Sequence, residues 1–141
     1  MARAVESTRG VDVLIIDDQS VMRALIRDFL QSSLTNLTIA DAPDGARGLK
    51  LVTERRPRVV LMDINLPAEN GIELAARIKA LRPGTQIVMV TNLEGSAYVE
   101  RALAAGASGY VRKDKIYSEL LPLVVRALGA APPHGDLTGD E

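Results

Sequence analysis

VDVLIIDDQS, residues 11–20, decides the fold: a short apolar run broken only by Asp12 leads straight into two adjacent carboxylates, Asp17 and Asp18. Runs this short and rich in Val and Ile read as strands buried on both faces of a parallel sheet. The same form recurs three times. VVLM at 59–62 closes on Asp63, IVMV at 87–90 closes on Thr91, and GYVR at 109–112 leads into Lys113. Ligands of an open α/β sheet bind beyond the carboxyl ends of its strands. One folding rule therefore gathers three carboxylates, a hydroxyl and an ammonium at a single edge.

Helical periodicity fills the gaps between these runs. Ser20 reads as the N-cap of a first helix, with Val21, Leu25 and Phe29 on one face and Met22, Ile26 and Leu30 beside them. Leu37 to Ala40 predicts a weaker second strand. Pro43 reads as the opening of a second helix with Leu49 and Val52 inward, which stops before Pro57. Gly71 marks the turn into a third helix carrying Leu74, Ala75, Ile78 and Leu81, and Pro83-Gly84 ends it. A fourth helix is expected from Ser96 to Ala105, stopping at Gly106, and a fifth holds Leu120, Leu121, Val124 and Leu128. Strand–helix alternation with short connections predicts an α/β architecture with right-handed crossovers. Residues 11–129 form one domain in this reading; 1–10 and the Pro/Gly-rich stretch 130–141 are expected to be flexible.

Composition narrows the function. The 141 residues carry 17 basic against 18 acidic side chains, so no strong field favours nucleic acid or an anionic membrane. With no Cys, thiolate catalysis and Cys-ligated metals are excluded. No apolar stretch approaches the roughly 18 residues of a membrane span, and MARAVESTRG lacks the apolar core of a signal peptide. A soluble cytoplasmic domain is expected. Gly45 and Gly48 lack the spacing of a phosphate-binding loop. Arg55, Arg56 and Arg58 read as a solvated helix end and loop, and His134, the one histidine, lies in the tail.

Three carboxylates brought together repel one another, and a hard cation relieves this; Mg2+ suits because it also keeps waters and phosphate oxygens as ligands. An Asp, a divalent metal, a hydroxyl and an ammonium are the parts that stabilise phosphoryl transfer to a carboxylate. Taken alone, Asp17-Asp18 reads as the start of a loop and Thr91 as an ordinary strand end. Their places beside Asp63 and Lys113 promote them.

Four pieces, VLIIDDQSVMRALI (13–26), VVLMDINLPAENGIEL (59–74), IVMVTN (87–92) and GASGYVRKD (106–114), follow in an order that resembles the receiver domains of two-component response regulators. The resemblance covers about residues 11–129. It implies a flavodoxin-like, doubly wound sheet of five parallel strands in the order 2-1-3-4-5. It implies that Asp63 accepts a phosphoryl group from the phosphohistidine of a histidine kinase or a phosphotransfer protein. Asp18 and Asp63 would bind Mg2+ directly with the backbone carbonyl of Asn65, and Asp17 largely through water. Thr91 and Lys113 would each meet a phosphoryl oxygen, and Tyr110 is the aromatic whose rotation accompanies the threonine. Phosphorylation would then alter binding of a downstream output protein, or homodimerisation, on the face of the fourth helix, fifth strand and fifth helix. Tyr98, Arg101, Arg112, Lys115 and Tyr117 are the exposed candidates there, although Tyr98 and Tyr117 read in themselves as ordinary surface residues. Catalysis is expected only of the domain's own phosphotransfer and autodephosphorylation.

Three positions depart from the family pattern: Asn92 stands where a small residue is usual, Leu93 where water-orienting polar residues often stand, and Asp114 where Pro commonly follows the lysine. GYVRKD resembles the DNA-binding subfamily named for nitrate regulation. A receiver fragment of such a regulator, and a receiver-fold module that acts without phosphorylation, are the alternative readings. A magnesium-dependent aspartyl phosphatase fits less well, since Asp17-Asp18-Gln19 lacks the D-x-D signature of the haloacid-dehalogenase type.

Overall fold

A computed structural model describes residues 10–131. The ends expected to be flexible, and His134 with them, fall outside that range apart from Gly10, Ala130 and Ala131. Five parallel strands, β1 (Val13–Ile16), β2 (Ile39–Ala42), β3 (Val59–Met62), β4 (Gln86–Thr91) and β5 (Gly109–Arg112), form one sheet in the order β2-β1-β3-β4-β5. This is the flavodoxin-like order that the sequence implies.

Side-chain alternation splits the core into two layers, because successive strand residues face opposite sides. Leu14, Ile16, Val60, Met62, Ile87 and Met89 pack under helices α2 (Gly45–Arg55), α3 (Gly71–Leu81) and α4 (Ser96–Ala104). Val13, Ile15, Val59, Leu61, Val88 and Val90 pack under α1 (Ser20–Ser33) and α5 (Leu121–Ala130). With both faces covered, β1 and β3 are buried along their whole length. Their unbroken apolar runs record that burial.

Register then places the strand ends. Ile16 pairs with Met62 and Met62 with Met89, while Thr91 pairs with Arg112. The next residues, Asp17 and Asp63, therefore leave adjacent strands side by side, and Lys113 leaves β5 beside Thr91. After β3 the chain folds into a short antiparallel ribbon, Asn65–Leu66 against Glu69–Asn70, and returns at Gly71. Gly71 N–H donates to Ile64 O at 2.7 Å, and the backbone there lies so near the Asp63 carbonyl that a Cβ would overlap it.

Several local expectations need correction. The N-cap of α1 is Gln19, not Ser20, because Asp17 Oδ1 accepts Gln19 N–H at 2.8 Å and turns the chain one residue early. Val21 is exposed; Ile26 and Leu30 are the residues buried in α1. Strand β2 begins at Ile39, two residues later than read from the sequence, since the ladder opposite Val13 starts there. Pro43 precedes the true N-cap of α2, Asp44, whose side chain accepts Arg47 N–H at 2.8 Å. Leu51, with Val52, is buried in that helix, whereas Leu49 is half-buried. α4 ends at Ala104, and a π-helical turn, Ile116–Leu120, precedes α5. Arg58, in the loop after α2, is not solvated as expected but is mostly buried. It donates to Leu128 O in α5 at 2.6 Å and to Asp12 Oδ1 at 3.3 Å.

Candidate functional site

The three aspartates meet beyond β1 and β3, each offering an oxygen, with all three oxygens within 4.8 Å of one another. Asp17 and Asp63 are buried and Asp18 is exposed. Lys113 crosses from β5 into this group. Its Nζ donates to Asp17 Oδ2 at 2.8 Å, to Asp63 Oδ2 at 2.9 Å and to Gln19 Oε1 at 3.0 Å, with the lysine side chain only 5% exposed. Asp63 Oδ1 accepts Asn65 N–H at 3.2 Å, which folds the exposed Asn65 back over the carboxylate.

One ammonium cannot balance three carboxylates, so the cluster keeps an excess of negative charge. Burial pushes the Asp17 carboxyl above its ordinary 3.8, outweighing the opposing hydrogen bonds from Lys113 and from Gln19 N–H; the Asp63 charge adds to the rise. Burial alone would lower Lys113, but its bonds to Asp17 and Asp63 hold it above its ordinary 10.5. Hard carboxylate oxygens, two sheltered and one open to solvent, fit a divalent cation of the Mg2+ kind.

These directions set a pH dependence for the metal-free protein. Between 3.8 and its raised native value, Asp17 is more protonated in the folded than in the unfolded chain. Its contribution is therefore full below that window and is lost as pH rises through it. The contribution of Lys113 persists into alkali and is lost only above 10.5. Chemical denaturation at pH values rising from 3.8 should show an Asp17-dependent fall in stability. The fall should be absent in Asp17→Asn; the same slope in both proteins would contradict the assignment.

Thr91 is fully buried, and its Oγ1 accepts Leu93 N–H at 3.4 Å. Tyr110, half-buried, donates its hydroxyl to Leu93 O at 2.8 Å. Leu93 thus joins the two residues, and its side chain packs on the core with Tyr98 and Tyr110. Burial, with the neighbouring Tyr98 and Asp63, pushes the Tyr110 phenol upward. Asn92 is exposed at the start of the same loop.

Of the partner-face candidates expected to be exposed, Tyr98 departs from that expectation. Arg101 and Lys115 are exposed, whereas Tyr98 is half-buried and packs against the core. Arg112 pairs with Glu94 at 2.9 Å and with Asp114 at 2.8 Å. Tyr117 stands edge-on to Phe29 of α1, with centroids 5.2 Å apart.

Two residues of the site have no signal in an apolar pattern. Gln19 reaches Lys113. Arg23, one turn later, donates to the Asp17 carbonyl at 2.7 Å and pairs with Asp41 at 2.9 Å. Their nearness to Asp17-Asp18 at the start of a helix was the available clue.

Residues 13–124 match the model of the response regulator receiver domain family. The transcriptional regulatory protein LnrK of Bacillus subtilis is 36% identical over 104 residues, 74% of this chain and 47% of that protein. The chemotaxis protein CheY of Halobacterium salinarum is 36% identical over 102 residues, 72% of this chain and 82% of that protein. A CheY-like receiver domain protein from Methanospirillum hungatei JF-1 has a crystal structure that superposes with a TM-score of 0.78 at 27% identity, covering 85% of this chain and 94% of that one. The chain spans about half the length of the transcriptional regulators that it matches. Among the described residues no helix is long and apolar enough to cross a membrane. Matched from its first strand into its fifth helix, the chain belongs to the family of response regulator receiver domains.

Proposed function

We propose that this chain is a phosphorylation switch in a two-component relay. Asp63 takes a phosphoryl group from the phosphohistidine of a histidine kinase or phosphotransfer protein, and the resulting change alters binding of an output partner. The observation that carries this is the meeting of Asp63, Lys113, Asp17 and Asp18 at one strand edge.

In the transfer, an Asp63 carboxylate oxygen forms a bond to phosphorus while the bond from phosphorus to the imidazole nitrogen breaks. The product is an acyl phosphate. The barrier depends on placing the oxygens and neutralising the charge they carry. Lys113, already 2.9 Å from Asp63, needs only a small shift to meet a phosphoryl oxygen. Asp17, Asp18, Asp63 and the Asn65 carbonyl would hold Mg2+, which when bound neutralises charge on the phosphoryl oxygens. Thr91 can donate its hydroxyl proton to another of those oxygens.

Movement of Thr91 toward the phosphoryl group would strain its bond with Leu93 N–H, and Leu93 O is what Tyr110 holds. Thr91, Leu93 and Tyr110 thus form a linked element that phosphorylation biases toward a second arrangement. Arg112 extends the link to Glu94 in the same loop. The chemistry ends with the domain's own phosphotransfer and autodephosphorylation, and the switch works in the cytoplasm with its kinase. Two-dimensional NMR tests the switch. Phosphorylation should shift the amides of residues 92–95 and the Tyr110 ring in the wild type and leave them in place in Asp63→Asn. Unmoved resonances in demonstrably phosphorylated protein would overturn it.

A further inference from the structure

An ammonium has three hydrogens and no lone pair. Each hydrogen of Lys113 has an acceptor: Asp17 Oδ2 at 2.8 Å, Asp63 Oδ2 at 2.9 Å and Gln19 Oε1 at 3.0 Å. The third is unlike the others, being neutral and exposed. Gln19 also occupies the N-cap of α1, with extended backbone at φ −90° and ψ 110°, and its side chain makes no capping bond. Ser, Asp or Asn at that position would accept a backbone N–H of the first helical turn. Here the amide faces the lysine rather than the helix. Its place is fixed from the other side as well, since Gln19 N–H donates to Asp17 Oδ1 at 2.8 Å.

We propose that Gln19 is a positioning residue for phosphotransfer at Asp63, a neutral third acceptor that holds the Lys113 ammonium toward the open rim of the site. The proposal rests on the reading of Asp63 as phosphoacceptor. Two carboxylates alone draw the ammonium down between Asp17 and Asp63. Gln19 pulls against them from the N-cap of α1, without adding a negative charge that would repel an anionic donor. When Asp63 gains its phosphoryl group, Lys113 exchanges one carboxylate oxygen for a phosphoryl oxygen. Its bonds to Asp17 and Gln19 remain as two fixed points about which the ammonium turns. Positioning of this kind acts on the rate at saturating donor more than on donor binding.

The test uses the full chain, Mg2+ and acetyl phosphate, from which Asp63 takes the phosphoryl group as the bond to acetate breaks and acetate leaves. Gln19→Met removes the acceptor at similar length, and Gln19→Glu keeps an acceptor at the same reach. The limiting phosphorylation rate should fall on the order of tenfold in Gln19→Met, with little change in KM. Gln19→Glu should recover the limiting rate while raising KM, because its charge repels the donor. The ammonium 15N–1H resonance of Lys113 reports the bond itself. It should be protected from exchange in the wild type and in Gln19→Glu, and weakened in Gln19→Met. A Gln19→Met protein as fast as wild type, or a Gln19→Glu protein as slow at saturation as Gln19→Met, would overturn the proposal alone. A wild type that takes no phosphoryl group would remove the Asp63 reading and this proposal with it.

Discussion

Lys113→Met should destabilise the metal-free protein by about 3–5 kcal/mol near neutral pH, because removing one partner strands buried charge. The ammonium is the group that separates Asp17 from Asp63, at 2.8 and 2.9 Å from them, and its side chain is 5% exposed. Without it, Asp17 loses the leading opposition to its burial and keeps the repulsion of Asp63. The folded variant therefore binds the Asp17 proton more tightly than wild type, and part of the loss should return as pH falls. If the cluster holds Mg2+ as proposed, the ion should restore stability too, since it would bind the folded cluster and not the unfolded chain. Adding Asp17→Asn should recover a further part, a non-additivity expected of groups in direct contact. Urea unfolding at two pH values, with and without Mg2+, reads all of these. A variant within about 1 kcal/mol of wild type would place this pair with exposed surface pairs and contradict its buried role.

Gly71→Ala is the second large effect. A Cβ at Gly71 would overlap the Asp63 carbonyl oxygen and crowd Ile64 Cα, and neither is a flexible side-chain end that can swing aside. Overpacking against fixed atoms costs about 1–3 kcal/mol. The helix-propensity gain of Ala over Gly, about 1 kcal/mol in a helix interior, is smaller still at the first turn and does not offset it. The shift would pass directly into the Asp63 backbone, so magnesium binding and phosphorylation should weaken along with stability. Gly129→Ala supplies the contrast. Nothing lies within 4 Å of a Cβ there, in α5, and a gain of up to about 1 kcal/mol is expected. Urea denaturation of both variants checks the opposite signs; equal effects would show that the close approach at Gly71 carries no constraint.

The legibility of the sequence follows burial. Strands β1, β3 and β4 sit in the middle of the sheet, so their apolar runs are unbroken and their polar terminators, Asp17, Asp63 and Thr91, stand out. β2 lies at the sheet edge and extends over Asp41, whose partners Arg23 and Arg27 sit in α1; no local pattern announces that pairing. α1 begins at Ser20 as expected, but its cap lies one residue earlier for a similar reason, because the Asp17 carboxylate, and not a capping Ser20, turns the chain. Gly71 could be read as a turn, but only the return of the ribbon shows that it lies against the Asp63 backbone. Side chains that act across the fold, Gln19 on Lys113 and Arg58 on α5, leave no periodic signal.

Intact mass after incubation with acetyl phosphate and Mg2+ tests the central claim most directly. The expected result is a gain of one phosphoryl group in the wild type that disappears with chelator and is absent from Asp63→Ala. No gain from acetyl phosphate or from a phosphohistidine donor, or an equal gain in Asp63→Ala, would contradict the assignment of Asp63 as phosphoacceptor.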